Sequence, residues 1–136
     1  MISTQNYIFR NYTFEASHWL PKVPLTHKCH RMHGHTWKVK VEIARRNFDL
    51  DEEFDWVLDF GELDEIFEKH VMSKLDHRTL NDEIPNPTSE IVADWILTTI
   101  RNHFHYSPRE IEAFQVTVQE NDSYGAVVRY GEPWQV

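Results

Sequence analysis

The chain has 136 residues, of which 40% are hydrophobic and 26% are charged, and its formal net charge is -8. This is the length of one ordinary domain, so we expect a single domain over residues 1–136. The acidic balance argues against broad nucleic-acid binding, which requires a basic surface. The sequence has no apolar run typical of a membrane span or a signal peptide, and its single cysteine cannot form an internal disulfide, so we expect a cytoplasmic protein.

The first part of the chain predicts two strands separated by a long loop. Every second residue from Ile8 to His18 shares one largely apolar face, and the same period runs from His33 to Ile43. The segment 19–32 contains two prolines and no period, which favours a loop. Residues 45–53 are polar and acidic, and we expect an exposed connection there.

The middle of the chain predicts a short strand and then a helix. The run from Trp56 to Leu58 is interpreted as the strand. Asp59 and Glu62 have the spacing of a capping box, which favours a helix cap over a catalytic acid at Asp59. Apolar residues then recur at helical spacing, namely Leu63, Ile66, Phe67, Val71 and Leu75.

A second helix and a hairpin follow. Proline in the segment 86–89 suits a first helical turn. The predicted apolar face of this helix consists of Ile91, Trp95, Ile96, Ile100 and Phe104. Residues 114–120 then alternate as a strand, with 126–130 as its hairpin partner. This pattern indicates an α+β fold, an antiparallel sheet with two helices packed on one face.

Three histidines are expected to meet at one end of this sheet. Consecutive strands pair most easily as antiparallel neighbours, so His18 falls beside His33 and His35. Each histidine taken singly is typical of an ordinary core or surface position. Together, in phase with apolar residues, they predict a Zn²⁺ site with three nitrogen ligands and an open fourth position. Gly34, between two of them, would permit close approach of backbone or substrate, or form a bulge.

Four further residues are candidates for chemistry. Cys29 precedes His33 by four positions, and is either a base or nucleophile near the metal or a buried inert cysteine. Asp76 and His77 are adjacent, which suits a proton relay or an ordinary helix end. Glu120 continues an apolar strand face, so it either accepts hydrogen bonds from a ligand or lies in solvent where the strand frays.

Six segments in order resemble one family, the tetrahydropterin synthases of the tunnelling fold: TFEASHWLP, HKCHRMHGHTWKV, WVLDFGEL, LDHRTLND, NPTSE and VQEN. The spacing of Cys29 and His33, together with WVLDF and LDHRTLND, is similar to the 6-carboxytetrahydropterin branch of queuosine biosynthesis rather than to the 6-pyruvoyl branch. The resemblance covers nearly the whole chain.

The resemblance implies a substrate, 7,8-dihydroneopterin triphosphate, and products, 6-carboxy-5,6,7,8-tetrahydropterin, acetaldehyde and triphosphate. It implies Zn²⁺ on His18, His33 and His35. It also implies a catalytic thiol at Cys29 with Asp76 and His77 as relay partners. The residues implied to lie at the pterin ring are Glu120 as its anchor and the neighbouring segment of Thr88, Ser89 and Glu90.

The family further implies a homo-oligomeric barrel, a hexamer built as a dimer of trimers, with sites at subunit interfaces. Charge and composition, rather than the resemblance, indicate no nucleic-acid or membrane partner. Two alternatives stay open. One is a pyruvoyl-forming or bifunctional enzyme, and the other is a non-enzymatic module stabilised by zinc. By proximity, Lys28, Arg31 and Arg78 are candidates for contacting the triphosphate.

Overall fold

The computed structural model describes residues 4–46, 50–104, 111 and 113–131, with the side chain of Arg46 outside this set. These residues form one five-stranded sheet with the strand order β3-β1-β2-β4-β5. The strands are β1 (Gln5–His18), β2 (His33–Arg46), β3 (Arg78–Thr79), β4 (Ala113–Gln119) and β5 (Gly125–Gly131). The helices are α1 (Phe60–Phe67), α2 (Ser73–Leu75) and α3 (Ser89–Phe104).

The two predicted long strands form an antiparallel pair along their whole length. Their register runs from Gln5 opposite Arg46 to His18 opposite His33. β4 continues the antiparallel sheet on the other side of β2, and β5 pairs with β4 as the predicted hairpin. β3 differs, because it pairs in parallel with Ala16 and Ser17 of β1. The prediction was an antiparallel sheet. The observed sheet is mixed, because it includes a parallel part that is two residues long.

The core lies between one face of this sheet and the helices. The alternating residues of β2 that face the helices, from Trp37 to Ile43, are at most 2% exposed. Asp59 caps α1 as predicted, since its carboxylate accepts a hydrogen bond from the Gly61 amide at 2.9 Å. A π turn (Glu68–Met72) joins α1 to α2. Burial of each large apolar side chain of this core stabilises the fold by about 1.5–3 kcal/mol.

Three predictions about local structure are wrong. Residues 56–58 form no strand; Val57 and Leu58 are instead buried from an irregular segment. Ile91 is 46% exposed, because a helix turns 100° per residue and Ile91 lies about 140° away from the buried Ile96. Arg45 was expected in an exposed connection, but it belongs to β2 and is 7% exposed.

The structure describes only part of the remaining predicted connection. Residues 47–49 lie outside the described part of the chain, and residues 52–54 form an exposed turn. No helix within the described residues has the length and apolar character that crossing a membrane would require.

Candidate active site

The end of the β1–β2 pair gathers three imidazoles. His18 ends β1 and lies directly opposite His33, the first residue of β2, and His35 follows on the same face. One ring nitrogen from each of the three lies within 4.8 Å of the others. His18 is 1% exposed, and His33 and His35 are partly buried. The predicted clustering is therefore correct, and it follows from strand register.

Backbone carbonyls hold two of these rings. Nδ1 of His18 lies 2.8 Å from the carbonyl oxygen of Pro87, and Nδ1 of His33 lies 2.7 Å from that of Arg31. A carbonyl oxygen only accepts, so each Nδ1 carries the proton and donates it. In both rings the lone pair is therefore on Nε2.

The remaining nitrogens fit a metal ion. Nε2 of His18 and Nε2 of His35 are buried and have no hydrogen-bond partner. Leaving a buried polar atom without a partner costs about 1–3 kcal/mol, so the arrangement favours a ligand that takes up these lone pairs. Three neutral imidazoles suit Zn²⁺, and carbonyl partners on the opposite nitrogen are typical of histidines that hold a metal.

Burial also sets the charge of the cluster. Desolvation lowers the pKa of His18, and the neighbouring rings of His33 and His35 lower it further, although the Pro87 carbonyl acts in the opposite direction. Desolvation likewise lowers the pKa of His35. Both rings are thus neutral at neutral pH, which is the form that can donate a lone pair to a metal ion.

Glu120 lies beside the cluster, one residue beyond the end of β4. Its Oε2 is 3.8 Å from Nε2 of His35, and its Oε1 is 4.0 Å from Nε2 of His18. The Ser89 hydroxyl donates to Oε1 at 2.9 Å. The carboxylate is 15% exposed, so it is a placed acceptor rather than a frayed strand end in solvent.

The segment before α3 contributes unequally to this site. Ser89 is buried and contacts Glu120. Thr88 caps α3, because its hydroxyl accepts from the Ile91 amide at 3.2 Å. Glu90 is exposed in the first turn of α3, and no contact joins it to the histidines or to Glu120 within the described residues.

Cys29 lies in a short 3-10 turn (Lys28–His30) in the loop before β2. The residue is partly buried. Its backbone is fixed, since its carbonyl accepts from the Leu20 amide at 2.8 Å and its amide donates to His27 at 3.0 Å. Its thiol has no hydrogen bond to any residue that the structure describes.

Asp76 and His77 form a pair at the other side of β1. Oδ2 of Asp76 lies 3.0 Å from Nδ1 of His77. Both residues are bound to the Glu15 backbone: Oδ1 of Asp76 accepts from its amide at 3.0 Å, and the His77 amide donates to its carbonyl at 2.6 Å. The Glu15 amide, and then the His77 side chain, hold the pKa of Asp76 below its usual value.

An open groove of about 550 Å³ runs along the ends of β1, β2 and β3, and both His35 and His77 contribute to its lining. The side chain of His77 is 78% exposed, and its backbone has a positive φ of 58°. Such a φ is uncommon for a non-glycine residue, and here it accompanies the two backbone contacts with Glu15. Cys29 does not line this groove. Within the described residues, no contact joins His77 to the three clustered histidines or to the thiol of Cys29.

Sequence reasoning missed the groups that hold the cluster in place. The Pro87 and Arg31 carbonyls are invisible to residue-type patterns. Trp37 is fully buried in the core, and its ring also makes edge contacts with His18 and His35 at centroid distances of 4.8 and 5.5 Å. Trp37 lies two residues beyond His35 and therefore on the same face of β2, so the strand pattern could have indicated these contacts. Gly34 forms no bulge, and a methyl group there would meet only the Ala16 carbonyl, at 3.8 Å.

Comparison with known proteins now identifies the family. The model of the family described as 6-pyruvoyl tetrahydropterin synthase matches residues 7–131. The chain belongs to this family of enzymes. The family, the enzymatic class and the α+β tunnelling fold predicted from the sequence are thereby confirmed.

Individual relatives carry two different names. The 6-carboxy-5,6,7,8-tetrahydropterin synthase of Synechocystis is 36% identical over 96 residues, which are 68% of this chain and 73% of that protein. The 6-pyruvoyl tetrahydrobiopterin synthase of Drosophila melanogaster is 32% identical over 108 residues, 70% of this chain and 64% of that protein. The 6-pyruvoyl tetrahydropterin synthase of Caenorhabditis elegans has the same fold, with a TM-score of 0.74, 22% identity, and coverage of 96% of this chain and 97% of that one.

Proposed function

We propose that the chain converts 7,8-dihydroneopterin triphosphate and water into 6-carboxy-5,6,7,8-tetrahydropterin, acetaldehyde and triphosphate. The observation that carries this proposal is the cluster of His18, His33 and His35, whose free ring nitrogens converge beside Glu120. The family membership supports pterin chemistry in general. The relative from Synechocystis supports the carboxy-forming reaction.

The three histidines are proposed to hold Zn²⁺ through one ring nitrogen each, with the fourth position open to substrate. When bound, the ion supplies an electrophile that polarises an oxygen of the substrate side chain and stabilises negative charge developing there. The carbonyls of Pro87 and Arg31 keep two rings oriented for this task. Trp37 packs against the rings of His18 and His35 from the core side.

Glu120 is proposed to anchor the pterin ring. Its Oε2 accepts no hydrogen bond from the described residues, whereas Oε1 is already held by Ser89. A carboxylate placed in this way can accept from the amino and ring N–H groups of a pterin, which present two parallel donors. Ser89 then acts as a positioning residue for Glu120, and Thr88 and Glu90 are proposed to lie close to the same ring.

Cys29, Asp76 and His77 are proposed to move protons. The Asp76 carboxylate holds Nδ1 of His77, so that Nε2 of His77 can take or release a proton in the groove. The thiol of Cys29 acts as the second acid/base group on the substrate side chain. We further propose a cytoplasmic homo-oligomer, a hexamer of two trimers, in which neighbouring chains supply the thiol and the relay to one site.

The alternative product is a 6-pyruvoyl tetrahydropterin, which the Drosophila relative favours by its name. A purely structural zinc module is less consistent with the geometry, because a structural zinc site is usually closed by four protein ligands and this cluster has three histidines.

Product identification separates these functions. Purified protein is incubated with dihydroneopterin triphosphate, and the pterin product and acetaldehyde are measured. We expect 6-carboxytetrahydropterin and equimolar acetaldehyde, and neither product from His35→Ala. A pyruvoyl product without acetaldehyde would assign the other branch, and no turnover by zinc-loaded wild type would overturn both enzymatic assignments.

A further inference from the structure

The charges of this acidic chain are strongly segregated. Residues 16–41 contain five of the 14 Lys and Arg residues and none of the 22 Asp and Glu residues. The same segment contains His18, His33 and His35. The three histidines thus lie in a long stretch of the sequence that carries only positive formal charge, in a molecule whose net charge is -8, although Glu120 approaches them from outside this stretch.

Two of these five cations are engaged elsewhere. Lys38 forms an ion pair with Asp122, and the ammonium of Lys40 lies 4.8 Å from the centre of the Phe9 ring. The other three are Lys22, Lys28 and Arg31. They are exposed, and none forms an ion pair with any residue in the described part of the chain.

Lys28 and Arg31 extend from a fixed backbone next to the histidines. The Arg31 carbonyl accepts from His33, and the Arg31 amide donates to the Lys28 carbonyl at 3.2 Å. The loop is also tied at its start, where Asn81 donates to the Trp19 carbonyl at 2.8 Å and accepts from the Trp19 amide at 3.0 Å. Both cations are therefore coupled through backbone contacts to a predicted metal ligand, whereas Lys22 has no such connection.

We propose that Lys28 and Arg31 form an anion subsite that holds the polyphosphate group of the substrate. The identity of that substrate rests on the proposed function. The expectation that this subsite binds a polyphosphate rests on the positive charges of Lys28 and Arg31. A guanidinium matches two phosphate oxygens at once, and an ammonium adds a compact point charge. An anion approaching a molecule of charge -8 requires such a local cluster to overcome the overall repulsion.

Arg78 is not part of this subsite. It lines the groove beside His77, but Glu15 lines the same groove and Asp76 precedes it by two residues. Arg78 therefore shares its groove with an acidic residue, whereas Lys28 and Arg31 lie in the acid-free segment 16–41. Of the three cations suggested by proximity in the sequence, the structure favours two.

Calorimetric titration with inorganic triphosphate tests the subsite directly. The proteins are zinc-loaded wild type, Lys28→Gln, Arg31→Gln and the control Lys69→Gln. Lys69 is an exposed lysine in the π turn, so its substitution removes the same unit of charge elsewhere. Zinc content is measured after each titration, because triphosphate binds divalent cations itself.

We expect the Kd for triphosphate to rise by at least about tenfold in Lys28→Gln and in Arg31→Gln, and by less than about twofold in Lys69→Gln. Zinc content should stay unchanged in all variants, because Arg31 holds His33 through its backbone and not through its side chain. Arg31→Lys should restore part of the affinity. Equal small losses in all three glutamine variants, or no binding to wild type, would overturn the subsite.

Failure of the reaction assignment gives a different result. If wild type binds triphosphate and loses this affinity in Arg31→Gln, yet does not turn over dihydroneopterin triphosphate, the subsite stands and the proposed reaction is wrong. If turnover occurs with an unchanged KM in Lys28→Gln and Arg31→Gln, the reaction stands and the subsite is wrong.

Discussion

The two parts of the proposed active site are built in different ways. The histidine cluster lies inside the sheet, on two strands that pair over 14 positions, and its nitrogens converge within one chain. The proposed proton-transfer groups, Cys29, Asp76 and His77, lie on a loop and at the edge of the sheet, and the side chain of His77 is 78% exposed. One chain therefore assembles the histidine cluster, whereas no contact joins Cys29 to His77 within the described residues.

The largest effect is expected from a substitution in the histidine cluster. His35→Ala removes one of three proposed ligands, so we expect zinc to fall well below the wild-type value of about one ion per chain and turnover to be lost. Metal analysis and the product assay measure both. His70→Ala, which changes a histidine outside the cluster, should retain zinc. Full zinc occupancy in His35→Ala would remove His35 from the ligand set.

The next effect separates the loop from the cluster. Cys29→Ala should lower turnover by about 10²–10⁴-fold, because an acid/base group is lost, while zinc content and thermal stability stay as in wild type. Metal analysis, kinetics and thermal unfolding are measured on the same preparation. Loss of zinc together with activity would show that the cysteine is a ligand or a structural residue.

A substitution of Glu120 tests the proposed pterin anchor beside the histidine cluster. Glu120→Gln keeps the shape but replaces one acceptor by a donor, so we expect binding of a product analogue to weaken by about 1.5–3 kcal/mol. Ser89→Ala leaves the carboxylate present and should have a smaller effect. Calorimetry with the analogue, together with metal content and melting temperature, checks this. Lost stability with unchanged affinity would mean that the partner of Glu120 is Ser89 and not the substrate.

The smallest expected effect concerns stability at the sheet edge. The pKa of Asp76 is lowered in the folded chain, mainly by the Glu15 amide, so its stabilisation is present above its ordinary pKa of 3.8 and is lost as pH falls through the folded value. Asp76→Asn should therefore melt slightly below wild type at pH 7, and the difference should shrink below about pH 3.8. Thermal unfolding of both metal-free proteins measures it; a constant difference contradicts this linkage.

The same contrast explains which features the sequence could predict. The period of two from His33 to Ile43 determines both the buried face of β2 and the place of the histidines, so strand and cluster were predicted together. Patterns of residue type carry no information about carbonyl partners or about a two-residue parallel strand, so Pro87 and β3 were not predicted. The hydrophobicity of Ile91 indicated burial, but its position around α3, about 140° from the buried Ile96, leaves it exposed.

The short length of β3 has a consequence for how the protein should be assayed. β3 pairs with β1 at only two positions, and the contacts of Asp76 and His77 with the Glu15 backbone add two hydrogen bonds to this attachment. An edge segment held by so few bonds opens locally more easily than a paired interior strand. Opening there would displace His77 and leave the histidine cluster intact. If the proposed zinc site and relay are correct, metal content reports on the interior of the sheet, and a preparation can be fully loaded with zinc while a fraction of its molecules lacks an assembled relay.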